Sequence, residues 1–313
     1  MYAGRGIVPP VPAVAGIATQ SPALARSLWT VSAVVAGVLA LAGVAVFVGH
    51  LAQDPLVDTR AYWDAGRRLN EGLPLYDATS TSSTGLYLYP PLLAILFRPL
   101  ALLPFPVAAA IWMAVLVCSL VLTLRRITPD RWAWIAVGCL GVPIGWALAV
   151  GQAEPLITVL LTLGAPWSVA FAGHLKIAPW LVAVFWVGRR DWRALRRFVA
   201  WVIAIGVVQL VLEPAATISY LRLEWVGPAF NVRNFSPYAI HPLLWVALVA
   251  GLLGAALWQA RRPSGWPLAV CLAVFAYPRL LVYQLLSLLA AFGGPRDAAA
   301  READRPAPGA ADG

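Results

Sequence analysis

Charge is what this sequence has least of. Only 12% of its 313 residues are Asp, Glu, Lys or Arg, against roughly 25% in a soluble globular domain. So few charges cannot cover a water-facing surface, so most of the outside must meet something apolar. Lysine is nearly missing, since the positive charge rests on 22 arginines and the single Lys176. Cysteine is scarce as well. Cys118, Cys139 and Cys271 all lie within apolar runs at no metal-like spacing, so neither a disulfide framework nor a thiolate metal site organises the fold. Also absent are a Walker motif, a glycine-rich dinucleotide fingerprint, an HExxH helix and a GxSxG elbow, which removes the usual signatures of soluble enzymes. The chain shows no internal repeat.

What is present is apolar. Hydrophobic residues make up 61% of the chain and its mean hydropathy is +0.76. Apolar runs recur near the roughly 20 residues that cross a bilayer. Backbone groups in lipid must bond within the segment, which favours helices, and the alternating pattern of barrel strands is missing. The expected fold class is an all-α polytopic membrane protein of roughly eight to ten transmembrane or re-entrant helices. Its net charge of +9 is scattered between the apolar runs. Arginines so placed set membrane orientation, and no solvated basic face exists to hold a nucleic acid.

Residues 1–26 are Pro-, Ala- and Gly-rich and read as a disordered cytoplasmic N-terminus, with Arg26 on the inner side of an uncleaved first crossing, Ser27–Gly49. Residues 50–88 then form a first external loop. Within it Asp58–Gly72 reads as a short interfacial helix, with Ala61, Ala65 and Leu69 toward the membrane surface. Residues 92–103, bounded by prolines, are too few to cross and are expected to be re-entrant or tilted. Phe105–Leu124 and Trp132–Val150 are read as crossings. Between 155 and 188 the charge pattern requires an odd number of crossings, best met by one full crossing plus short helices broken near Pro166 and Pro179. Phe198–Leu212 leads to a second external loop, 213–240, and Pro242–Ala260 returns. The stretch 266–292 is interrupted at Tyr277-Pro278-Arg279, and 293–313 reads as a disordered cytoplasmic tail. The membrane domain is thus 27–292.

Chemistry can sit on the ionisable groups at the ends of these runs. A carboxylate at the lipid–water boundary can be tuned toward a general base, which suits Asp58, although the same residue can cap a helix. Lys176 and Arg279 lie among apolar residues, where a cation is costly and points to function. Both fit a phosphate partner, and both also fit a topological anchor. His241 can hold an acceptor or a phosphate, or simply serve the fold. Tyr62, Tyr87 and Tyr89 are the aromatics that a sugar-binding face needs, or part of an interfacial belt. Asp54, Asp58, Asp64, Asp77 and Glu154 carry no spacing that specifies a metal, and no cofactor is expected.

The order of motifs is informative. Asp58-x-x-x-Tyr62-Trp-x-Ala65-Gly comes first, then Gly72-x-Pro74-Leu-Tyr76-Asp77 and Tyr87-x-Tyr89-Pro-Pro91, with Leu102-Leu-Pro104 closing that third. Gly151-Gln-x-Glu-Pro, Gly173-x-x-Lys176-x-x-Pro179 and Pro278-Arg-x-x-x-Tyr283 follow. This ordered set resembles glycosyltransferase family 87 over roughly residues 30–290. The resemblance implies a GT-C membrane fold and inverting transfer of a hexose, typically mannose, from a polyprenyl-monophosphate sugar. It implies a glycolipid or lipoglycan acceptor on the outer face of the plasma membrane, with membrane lipids as further partners.

It also implies Asp58 as catalytic base; Arg279, Lys176 and His241 are then the candidates for the donor phosphate, and Tyr62, Tyr87, Tyr89, Gln152 and Glu154 those for the substrate. No sugar nucleotide is required, in keeping with the missing nucleotide motifs. Two other classes stay open: a transporter or lipid flippase, which would favour pseudo-symmetric halves with paired broken helices, and a catalytically inactive homologue.

Overall fold

The computed structural model describes residues 22–53, 55–76, 87–127, 131–222 and 234–295. Residues 1–21 and 296–313, which hold most of both expected disordered ends, lie outside the described residues, as do Asp54, Asp77 and 223–233 of the second loop. Among the described residues every element is helical. Helix α1 (Pro22–Gln53) is followed by α2 (Val57–Asn70), α3 (Pro91–Phe97), α4 (Phe105–Ile127), α5 (Arg131–Cys139) and α6 (Gly141–Val150). The second half comprises α7 (Glu154–Leu163), α8 (Pro166–Leu175), α9 (Val184–Arg189), α10 (Trp192–Leu212), α11 (Pro214–Leu221), α12 (Pro242–Gln259) and α13 (Gly265–Phe275), with a 3-10 helix at Val282–Phe292.

Among the described residues four helices are long and apolar enough to cross a membrane: Arg26–Gln53 within α1, α4, α10 and α12; α5 and α6 together make a fifth if the bent pair is one span. Their outward faces carry Val31, Val34, Leu41, Ile203, Val211 and Leu243, the side chains lipid would solvate. The chain is an all-α polytopic membrane protein. Helix α1 lies on α5 and α6 through small residues, and a Cβ on Gly43 would meet the Gly141 carbonyl oxygen at 2.1 Å. Such contacts let helix backbones approach where lipid offers no hydrophobic drive between them.

Three details differ from the sequence reading, each for a local reason. The expected crossing Trp132–Val150 is bent by 55° between α5 and α6. Pro143 stands in the first turn of α6, where its ring clashes with the carbonyl four residues back, so α5 ends at Cys139. The full crossing expected between 155 and 188 is not there. Gly164, at φ +63°, ends α7, and Pro166 starts α8 as a separate ten-residue helix. An extended Lys176 then closes α8. Ten residues rise only about 15 Å, half the hydrocarbon thickness.

The third difference is the face of α2. Ala61, Ala65 and Leu69 are buried against protein rather than turned to the membrane surface, because α3 and α4 cover that side. The stretch expected to be too short to cross holds the seven-residue helix α3 and a 3-10 turn at Leu100–Leu102.

One buried cluster runs through the middle, from Tyr62, Leu93, Phe97 and Trp112 to Leu161, Val169 and Leu175. A polar chain ties three helices within it. Gln209 of α10 accepts the Leu92 N–H at 2.9 Å and donates to His174 Nδ1 at 2.6 Å, and the other nitrogen of His174 meets the Val202 carbonyl at 3.0 Å. Arg98 pairs with Glu213 at 2.5 Å, so the end of α3 is anchored to the start of α11.

Candidate functional site

The site is assembled on the turn between α6 and α7. Gly151 sits there at φ +70°, and a Cβ would lie 1.8 Å from Thr59 Oγ1. Only glycine permits both the left-handed backbone and this approach. The Gly151 carbonyl accepts the Trp112 indole N–H at 2.9 Å and the Thr59 hydroxyl at 3.3 Å. Leu56, a non-glycine residue at φ +57°, donates its N–H to the Ala149 carbonyl at 2.9 Å. These bonds clamp the first turn of α2 onto the end of α6.

Gln152, fully buried, is the consequence of that clamp. Its Nε2 donates to Asp58 Oδ2 at 2.9 Å and to the Tyr89 hydroxyl at 2.9 Å. Its Oε1 accepts the Tyr62 hydroxyl and, at 2.9 Å, the Ala153 N–H. Every hydrogen-bonding position of the amide is engaged, which fixes its orientation. Asp58, the second residue of α2, is half-buried. It does not occupy the cap position, which falls to Leu56, so its carboxylate is directed to Gln152.

Two residues on, Glu154 opens α7 as an almost fully buried carboxylate. Its Oε2 accepts from Lys176 Nζ at 2.6 Å, and its Oε1 accepts from the Ser287 hydroxyl at 2.5 Å. Lys176 is 5% exposed and lies 5.0 Å from the Tyr283 ring centroid and 5.5 Å from that of Tyr89. Burial disfavours the charge of a lone ammonium, and the Glu154 carboxylate stands beside this one as its counterion. Tyr89, one hydrogen bond from the same amide as Asp58, has its hydroxyl pKa pushed up, chiefly by burial, and stays neutral.

Lys176 and Tyr89 line a cavity of about 510 Å³ together with Trp180, Tyr220, Tyr277, Arg279, Tyr283 and Gln284. Leu88, Ile177, Leu181 and Leu281 supply apolar wall. Arg279 stands in the break between α13 and the final 3-10 helix, and its Nε is buried without a hydrogen-bond partner. A buried donor left unmade costs roughly 1–3 kcal/mol, and the same residue lines the cavity. Two cations, four tyrosines and Gln284 around an otherwise apolar chamber suit an anion attached to an apolar body.

Of the residues singled out in the sequence, Asp58, Tyr62, Tyr89 and Gln152 form one hydrogen-bonded group, and Lys176, Tyr89 and Arg279 line the cavity. Tyr87 stands apart in role: its hydroxyl donates to the Pro90 carbonyl at 2.7 Å and accepts the Ala94 N–H at 2.9 Å, pinning the start of α3. Tyr62 is buried behind Gln152. His241 is exposed, caps α12 by accepting the Leu243 N–H at 3.2 Å, and does not line the cavity. Glu154 has both oxygens engaged inside the protein. Ser287, Trp180 and Tyr220 went unnoticed in the sequence. Ser287 carried a usable signal, as a lone hydroxyl four residues after Tyr283 in an apolar run; the two aromatics carried none.

An all-helical membrane bundle with a cation-lined chamber beside a carboxylate is the class these features define. Within it, the sequence matches the model of glycosyltransferase family 87 over residues 87–283, and the chain belongs to that family. The matched stretch begins after Asp58.

Among curated proteins it is similar to a polyprenol-phosphate-mannose-dependent alpha-(1-2)-phosphatidylinositol pentamannoside mannosyltransferase of Mycolicibacterium smegmatis, 29% identical over 205 residues, 56% of this chain and 50% of that protein. A polyprenol-phosphate-mannose-dependent alpha-(1-2)-phosphatidylinositol mannoside mannosyltransferase of the same organism is 26% identical over 297 residues, 78% of this chain and 67% of that protein. The pentamannoside enzyme of Mycobacterium tuberculosis is 29% identical over 167 residues, covering 47% of this chain and 38% of its own length. The match thus spans half the length of the first of these relatives and less of the third. No solved structure matches the chain.

Proposed function

We propose that the protein is a membrane glycosyltransferase that moves a hexose, most simply mannose, from a polyprenyl-monophosphate sugar to a glycolipid or lipoglycan acceptor at the extracytoplasmic face of the plasma membrane. The observation that carries this reading is the adjacency of Asp58 to the cavity. One Gln152 amide nitrogen bonds both Asp58 and the cavity-lining Tyr89. The family, and relatives whose names specify a polyprenol-phosphate-mannose donor and phosphatidylinositol mannoside acceptors, support it further.

The proposed reaction is a single displacement. An acceptor hydroxyl gives its proton to Asp58 as its oxygen bonds the anomeric carbon, and the bond from that carbon to the phosphate oxygen breaks with inversion. The departing lipid phosphate takes the electron pair, and Arg279 and Lys176 meet its charge. Tyr89 and Tyr283 offer faces to the sugar, and the apolar wall takes the start of the polyprenyl chain. The membrane domain 27–292, with loops 50–88 and 213–240 on the donor side, is part of the same proposal.

The test is transfer of labelled mannose from polyprenyl-phosphate-mannose by membranes containing the protein. Asp58→Asn is expected to lower transfer by about 10²–10⁴-fold, the usual worth of a general base. Undiminished transfer by that variant removes Asp58 from the role, and an inert wild-type chain removes the activity.

A further inference from the structure

Glu154 matched a family motif and was expected at the substrate, yet it is buried and does not line the cavity. Its two carboxylate oxygens are taken by Lys176 Nζ at 2.6 Å and the Ser287 hydroxyl at 2.5 Å. Ser287 is itself buried and lies 3.2 Å from the Thr158 hydroxyl, one turn along α7 from Glu154. Thr158 in turn donates to the Glu154 carbonyl at 2.8 Å. The result is a closed polar core between α7 and the 3-10 helix at Val282–Phe292, with Lys176 as its exit toward the cavity.

We propose that Glu154 is a positioning residue: braced by Ser287, it holds the only lysine of the chain charged and fixed at the cavity wall, where a lipid phosphate can share it. The sharing rests on the function proposed above; the hold on Lys176 does not. Geometry gives the reason. Lys176 is buried, and without a counterion a buried ammonium loses its proton, leaving a neutral amine with no attraction for phosphate. A carboxylate placed directly in the cavity would repel the phosphate. Set one residue behind the wall, with half its hydrogen bonding committed to Ser287, it neutralises the cost of burial and leaves the cavity face cationic. The other groups around the ammonium are the Tyr89 and Tyr283 rings and, acting through space, Asp58. Arg279 lines the same cavity.

Because Lys176 is the only lysine, its protonation can be read without any transfer reaction. The full chain, purified in detergent, is acylated with acetic anhydride across a pH series, and the peptide containing Lys176 is quantified by mass spectrometry. Neutral amines react and ammonium ions do not. Glu154→Gln is expected to raise acylation at mildly alkaline pH by about ten-fold for each unit its pKa falls. Ser287→Ala should shift the profile the same way by less, and Ser287→Thr, which keeps the hydroxyl, should restore it.

In parallel, binding of a short-chain polyprenyl monophosphate is titrated. It should weaken about ten-fold in Glu154→Gln at the same pH and recover as the pH is lowered, since protonation restores the cation. A purely structural role for Glu154 would lower the melting temperature without moving either pH profile. Identical acylation profiles for wild type, Glu154→Gln and Ser287→Ala overturn the proposal. A shifted profile with no phosphate binding by wild type leaves the hold on Lys176 standing and overturns the donor reading instead.

Discussion

Gln152 Nε2 stands 2.9 Å from Asp58 Oδ2, across 94 residues of sequence, and the same nitrogen reaches the Tyr89 hydroxyl. This one amide ties Asp58 to a residue of the cavity wall. The opposite end of the amide is locked by Tyr62 and the Ala153 N–H, which fixes the donor that faces Asp58.

Gln152→Ala should therefore damage both stability and chemistry. It strands the Tyr62 hydroxyl and the Ala153 N–H in a buried place, at about 1–3 kcal/mol for each group left unmade. Gln152→Glu keeps the shape, and its carboxylate faces Asp58. Like charges raise the pKa of the weaker acid, so the acidic limb of the pH–rate profile should move to higher pH. A limb in its wild-type position would separate Gln152 from Asp58 in function.

The second prediction concerns the turn that carries Gln152. Gly151→Ala forces a side chain into a left-handed backbone at φ +70° and onto Thr59 Oγ1. The backbone term alone costs about 1–3 kcal/mol, and the clash must part α2 from α6. Thermal unfolding in detergent should show a lower melting temperature, with transfer falling further than the lost stability explains, because Asp58 rides on α2. A variant with wild-type melting would mean that the turn relaxes more freely than its contacts indicate.

Much of this was legible in the sequence, and the failures have physical causes. Composition alone announced a membrane bundle, since nothing else tolerates so few charges. The breaks at Pro166 and Tyr277-Pro278-Arg279 were readable because proline and glycine act on the backbone locally. The face of α2 was not: Ala61, Ala65 and Leu69 are equally suited to a lipid headgroup region or to a protein neighbour, and only the placement of α3 and α4 decides. The crossing expected between 155 and 188 failed similarly, because a charge count fixes sides of the membrane and not whether short helices together do the spanning. Lys176 and Arg279 stood out as cations in apolar runs, whereas the partnership of Glu154 with Ser287 spans 133 residues and leaves no local trace.

A third prediction separates stability from function at the buried pair. Lys176→Met leaves Glu154 as an uncompensated buried charge, a loss of about 3–5 kcal/mol. Adding Glu154→Leu removes that charge and should recover most of the melting temperature, since apolar replacement of a buried pair is often neutral. Transfer should not return in the double variant, because the cation that meets the phosphate is gone. Recovery of both would reduce the pair to a packing feature.

The last prediction falls on Arg279, whose buried Nε has no hydrogen-bond partner among the described residues. An arginine that only anchored topology would leave its guanidinium at the interface with its donors solvated; this one has a desolvated Nε and lines a chamber shared with Lys176. Arg279→Gln removes the charge and the planar fork that fits phosphate. Because no internal hydrogen bond of Nε is lost, folding should be unaffected or slightly improved, while affinity for the lipid-phosphate donor falls by about 10–100-fold, the worth of one charge-assisted hydrogen bond. Arg279→Lys keeps the charge without the fork and should fall between. The informative comparison is therefore melting against donor binding. Binding lost with melting intact assigns Arg279 to the ligand, and melting lost with binding intact returns it to the fold.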